Sequence, residues 1–171
     1  MKVLLYGGTF DPPHNGHLNN LRAAAARVQP DKVVVMPAGL SPFKQKTSAP
    51  GALRLEMCSC FHALEEDADT IPQLEVSGWE IEQAAAGNRN YTVLTVEKLA
   101  RENPGAQLYL AIGSYIILCQ SQSSHYFDIH KIGFIIIGLA MPGTPCIFQP
   151  HWRDYKPELK EMSPVSRTMQ P

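Results

Sequence analysis

The chain has 171 residues, 44% of them hydrophobic and 18% charged, which suits one soluble domain with a full core. A formal net charge of −1 removes any electrostatic case for nucleic acid or an anionic membrane surface as partner. One lysine and a short apolar run open the sequence, too little for a signal segment or a spanning helix, so a cytoplasmic protein is expected.

Lys2-Val3-Leu4-Leu5-Tyr6 reads as a first strand and Val33–Met36 as a second. An alanine-rich helix from Leu18 to about Val28 lies between them, which predicts a βαβ unit with parallel strands covered on both faces. Pro37 to Gly51 is rich in Pro, Ser, Gly and Lys and reads as a long loop at the carboxyl end of the second strand, a place that usually faces ligand. Leu53, Met57, Cys60, Phe61 and Leu64 recur at helical spacing and predict a second helix. In that setting Arg54 reads as a surface charge, and Cys58 and Cys60 as buried reduced thiols, since no Cys or His pair has zinc spacing. Gln73–Ile81 reads as a third strand, with Leu74, Val76, Trp79 and Ile81 as its extended-type residues. Gly87-Asn88 marks a turn, and Thr92 is a candidate N-cap for a helix through Leu94, Leu99 and Ala100, stopped by Asn103-Pro104-Gly105. Leu108–Ile112 and Phe134–Leu139 complete a five-stranded sheet.

After Ala140 the pattern weakens. Pro142, Pro145, Pro150, Pro157, Pro164 and Pro171 fall there, so 1–140 reads as the α/β domain and 141–171 as its loosely ordered tail, with one short helix near Glu158–Met162. Trp79 and Trp152 read as packing residues. His62, His125, His130 and His151 have no partner spacing.

The run Gly7-Gly8-Thr9-Phe10-Asp11-Pro12-Pro13-His14-Asn15-Gly16-His17 carries the chemistry. A strand, a glycine turn and a helix start aim free N–H groups and the positive end of a helix dipole at one point. His14 and His17, three apart, fall on one side of the helix entry. Glycine pairs often mark only a tight turn, but glycines, Thr, Asp-Pro and two imidazoles in one run suit a polyphosphate.

These residues resemble the signature of the HxGH nucleotidyltransferase superfamily. The doubled glycine and His14-Asn-Gly-His17-Leu resemble its bacterial nicotinate-nucleotide adenylyltransferase branch. So do Pro37 with Ser41-Pro42 and Lys44, the helix start Arg54-Leu-Glu-Met57, Asn90-Tyr91-Thr92, and Ala111-Ile112-Gly113-Ser114. The resemblance implies a Rossmann-like, doubly wound parallel sheet and adenylyl transfer from ATP to nicotinate mononucleotide. It implies His14 and His17 as catalytic groups and Gly7, Gly8, Thr9, Phe10, Gly16, Lys44 and Gly113 as ATP contacts. Tyr91 and Thr92 would contact the acceptor, largely through backbone. Mg²⁺ would be carried on the ATP phosphates with no metal site of the protein's own, and a homo-oligomer is compatible with the reading.

The resemblance is strong to about residue 114 and then departs from the family pattern. Tyr115 stands where the family has Asp, and Gln120 to Phe127 contains no Trp where the family stacks one on the pyridine ring. Val165-Ser166-Arg167-Thr168-Met169-Gln170-Pro171 is the nearest run to a closing Ile-Ser-Ser-Thr-x-Ile-Arg, with Pro171 in place of Arg. Changes gathered after Ser114 are what a local reading-frame disturbance over residues 115–165 would leave. Two other functions stay open: a nucleotide-binding protein without turnover, and another HxGH adenylyltransferase such as a phosphopantetheine type.

Overall fold

The computed structural model describes residues 1–39, 49–66, 71–113, 132–140 and 144–148. Strands β1 (Lys2–Gly8), β2 (Lys32–Pro37), β3 (Leu74–Val76), β4 (Gln107–Gly113) and β5 (Ile132–Ala140) lie parallel in the order β3-β2-β1-β4-β5. The parallel α/β arrangement matches the expected sheet type. A sixth, β6 (Thr144–Phe148), pairs antiparallel with β5 at the edge, within the segment expected to be a loose tail. Its Pro145 is tolerated because an edge strand has one side that needs no ladder donor.

The central strands read as unbroken apolar runs because both faces are covered. Leu4, Tyr6, Val33, Val35, Leu74 and Ala111 face one layer, with Leu21, Ala24, Ala25 and Val28 of helix α1 (Asn15–Val28) and Phe61 and Leu64 of a 3₁₀ segment (Cys58–Glu66). Val3, Leu5, Val34, Met36, Leu108 and Leu110 face the other, against Val96 and Leu99 of α4 (Thr92–Glu102).

Four local expectations are corrected. Helix α1 begins at Asn15, three residues earlier than expected, so His17 lies inside its first turn. The predicted second helix is a short α2 (Gly51–Met57) that tightens into the 3₁₀ segment, and its buried stripe is Arg54, Cys58, Phe61 and Leu64. Leu53 and Cys60 are exposed. Only Leu74–Val76 is strand; Ser77-Gly78 breaks it, and Trp79–Ala85 is a helix, α3, capped by Gly78 with Glu80 and Glu82 in its first turn. Acidic residues at a helix N-terminus favour that choice over extended chain. The N-cap of α4 is Tyr91, with Thr92 as the first helical residue.

Candidate active site

Chain order reverses between β1 and β4, so their carboxyl ends flank the crevice where such sheets take ligands. Ala111 pairs with Tyr6, so Gly113 closes β4 at the level of Gly8. Gly7 is the last-but-one residue of β1, and a Cβ there would meet only Met36 O, at 4.0 Å. At Gly8 a Cβ would lie 2.8 Å from the Phe10 ring, so glycine is required by that ring.

Phe10 takes a left-handed conformation, φ 48°, which is strained for a bulky residue. Packing holds it there: the ring is buried, 5.6 Å from Tyr6 and 5.2 Å from Phe61, and the edge-on His17 ring is 5.0 Å away. The Phe10 side chain is therefore a wedge under His17, and what it turns toward the crevice is backbone.

His14 is the N-cap of α1, in extended conformation, and His17 is the third helical residue. Their rings stack, centroids 3.8 Å apart and planes at 34°. The His14 backbone N–H donates to His17 Nδ1 at 3.2 Å. That bond occupies the lone pair of Nδ1 and so fixes the neutral tautomer with hydrogen on Nε2. Burial, and then the charge of His14, push the His17 pKa down to about 4. At neutral pH His17 is thus an uncharged, pre-oriented Nε2–H donor.

Arg54, read from sequence as a surface charge, is 2% exposed. Its Nη1 donates to Thr9 O at 2.7 Å, Nε to Ala49 O at 3.3 Å and Nη2 to Gly39 O at 3.4 Å. It thereby ties the turn after β1 to the residues after β2 and before α2. Asp11 Oδ1 accepts from Ala49 N–H at 3.1 Å and reinforces the same junction.

Gly39 also meets the second half of the site. A Cβ there would lie 2.0 Å from Glu80 O and 2.4 Å from Asn90 Oδ1. The Gly39 N–H donates to the Glu80 carboxylate, which also accepts from the Thr95 hydroxyl at 2.5 Å. Burial raises the Glu80 pKa, and those two bonds oppose the rise. Asn90 is buried beside this junction and delivers the chain to Tyr91 and Thr92 at the start of α4. The Tyr91 ring is 42% exposed and lines an open groove of about 430 Å³ with Trp79, Arg89, Leu94 and Arg101.

Sequence reasoning missed Arg54, Gly39, Glu80 and Thr95. A signal existed for Arg54, which sits four residues before Cys58 on the Cys58-Phe61-Leu64 stripe. Lys44, Ser114, Tyr115, Cys119, the stretch 120–127 with His125, His130, Trp152 with His151, the helix expected at 158–162 and the run 165–171 lie outside the described residues. Among the described residues no cluster of three His, Cys, Asp or Glu could hold a metal ion, and no helix is long and apolar enough to cross a membrane.

A parallel 3-2-1-4-5 sheet with a glycine turn and paired imidazoles at its switch point defines a nucleotide-binding α/β protein. The chain belongs to the cytidylyltransferase-like family, which matches it over residues 5–163. Within it, the resemblance is to nicotinate-nucleotide adenylyltransferases. A relative from Chloroherpeton thalassium, carrying the name probable nicotinate-nucleotide adenylyltransferase, is 31% identical over 84% of this chain and 68% of its own length. One of the same name from Neisseria gonorrhoeae is 41% identical over 68% of this chain and 54% of its own, so the alignment spans little more than half of that relative. The fold is shared with the Plasmodium falciparum nicotinic acid mononucleotide adenylyltransferase solved with NaAD (TM-score 0.59, 18% identity, 80% of this chain and 64% of that one).

Proposed function

We propose that the protein transfers the adenylyl group of ATP to nicotinate mononucleotide, giving the deamido dinucleotide and pyrophosphate, a step of NAD synthesis. The observation that carries this reading is the His17 imidazole, held by the His14 N–H as an Nε2–H donor at the entry of α1. A phosphate oxygen of the acceptor attacks the α-phosphorus, the bond to the bridging oxygen breaks, and pyrophosphate leaves. The nucleophile is already an anion, so the chain needs no general base. It must position two anions in line and neutralise the charge that builds on phosphoryl oxygens.

The chain's groups fit that demand. His17 and His14 donate to phosphoryl oxygens, the backbone of Gly8 to Phe10 brings further polar groups close, and Lys44, which follows β2 in sequence, would add a cation. The peptide N–H groups at the start of α4, which has no acidic residue in its first turn, suit the nicotinate carboxylate. The phosphate side presents imidazoles and backbone rather than a carboxylate cage, so it fits an anion. Mg²⁺ would enter on the ATP phosphates and supply further charge neutralisation.

A second reading, nucleotide binding without turnover, is favoured by Tyr115, the missing Trp and Pro171. Pyrophosphate release with ATP and a panel of acceptor mononucleotides decides between them. Release with nicotinate mononucleotide supports transfer; ATP binding with no release for any acceptor supports the binder.

A further inference from the structure

Gly39 is the residue at which the two halves of the site touch. Its carbonyl accepts from Arg54, which also holds the Thr9 carbonyl of the phosphate turn. Its N–H donates to Glu80, which is held by Thr95 one turn into α4. An unbroken polar chain therefore runs Thr9–Arg54–Gly39–Glu80–Thr95. Arg54 is 2% and Thr95 1% exposed, Gly39 and Glu80 are half-buried, and Asn90 closes the junction from the side.

Each member suits the part. Only a planar guanidinium reaches three separate carbonyls with fixed geometry; an ammonium is a point charge on a flexible stem. Only glycine fits between Glu80 and Asn90. A guanidinium held by carbonyls stays desolvated, and such groups are a poor source of stability compared with an apolar residue of similar volume. What the arrangement does supply is a fixed distance. In-line attack needs reacting atoms about 3–3.5 Å apart, and a displacement of about 1 Å costs roughly a hundredfold in rate.

We propose that Arg54 and Glu80 are positioning residues which, through Gly39, hold the phosphate turn and the acceptor helix at one separation, so that disturbing either end is felt at the other. The naming of the two ends rests on the adenylyl-transfer reading; the mechanical link does not.

The test uses the full chain with Thr95→Val, Thr95→Ser, Arg54→Lys and the double variant Arg54→Lys/Thr95→Val. Affinities for a non-hydrolysable ATP analogue and for nicotinate mononucleotide are measured separately by calorimetry, and amide exchange of residues 7–17 without ligand. Thr95→Val, on the acceptor side, should weaken the ATP analogue about tenfold and speed exchange in 7–17, and Thr95→Ser should restore both. Arg54→Lys, on the phosphate side, should weaken the mononucleotide about tenfold. The double variant should lose no more than the worse single, because one chain is cut twice. Losses confined to each variant's own side, or losses that multiply in the double, overturn the link. If the unaltered chain binds neither nucleotide, the adenylyl-transfer reading fails, and exchange in 7–17 alone decides: faster in Thr95→Val upholds the link, unchanged overturns it.

Discussion

Gly16 leaves the space that the His14 ring occupies: a Cβ at position 16 would lie 3.0 Å from both Cε1 and Nδ1 of that ring. The glycine of the His-x-Gly-His run is therefore there for the first histidine. It lets His14 fold back over the helix start and stack on His17 at 3.8 Å.

Gly16→Ala separates site geometry from stability. Alanine is the better helix former by about 1 kcal/mol, and the exposed His14 side chain can swing aside. Thermal unfolding should be unchanged or slightly raised, while ATP affinity and turnover fall as His14 leaves its stack. A variant that binds ATP as well as the unaltered chain would detach His14 from the phosphates.

His17→Ala should lower kcat roughly a hundredfold or more, the cost of deleting one preorganised donor to developing charge. ATP affinity should fall much less. Near-normal turnover in steady-state assays would remove His17 from the mechanism.

Much of this site is legible in sequence because it is one continuous segment. The glycine turn, the cap and both histidines lie between Gly7 and His17, and the strands β1, β2 and β4 announce themselves as apolar runs. What escaped is non-local or short. Arg54 is held by carbonyls from three separate places, and its only local mark is its position on the Cys58-Phe61-Leu64 stripe, which a charged residue type outweighs. Trp79 and Ile81 favour strands by type, but β3 has three residues and α3 seven, too few for periodicity to outweigh residue preference. β6 was hidden by Pro145, which only its edge position permits.

His17 also predicts a pH dependence of stability. Its folded pKa, about 4, lies below the ordinary 6.5, so between these values the unfolded chain binds more protons. The contribution of neutral His17 is fully present above pH 6.5 and is lost as pH falls toward 4. Glu80, whose folded pKa is raised, acts in the opposite sense, so the comparison is between variants. In urea unfolding from pH 7 to pH 4.5, His17→Gln should lose stability less steeply than the unaltered chain. Parallel slopes would show that His17 does not titrate as the geometry requires.

Acceptor choice follows from the start of α4. Nicotinate and nicotinamide mononucleotides differ by one charge, and N–H groups at a helix N-terminus with no acidic neighbour in the first turn favour the carboxylate. The acid should bind more tightly than the amide, by about fivefold or more for a contact in the range of 1 kcal/mol. Equal affinities would place the acceptor elsewhere.

The segment after Ser114 sets the expected level of activity. Tyr115 stands where relatives of the recognised pattern carry a small carboxylate, and tyrosine stays un-ionised at neutral pH. No Trp follows in Gln120 to Phe127, and Pro171 takes the place of a closing Arg. An aromatic stacked on a base is worth about 1–3 kcal/mol in nucleic-acid systems, and a hydrogen bond to a charged group about 1.5–3 kcal/mol. Losing both kinds of contact would lower catalytic efficiency by several orders of magnitude if nothing compensates, while the phosphate turn, which lies wholly before them, should still bind ATP. Pyrophosphate release from this chain should therefore be weak, and Tyr115→Asp should recover only a fraction of it. Reading the gene in its other two frames across residues 115–165 checks the cause: a frame that restores Gly-Ser-Asp or a Trp supports a local disturbance, and none rejects it. Robust turnover by the chain as it stands would mean that His125 to Phe127, or the residues after Phe148, supply the contacts that the family takes from Asp, Trp and Arg.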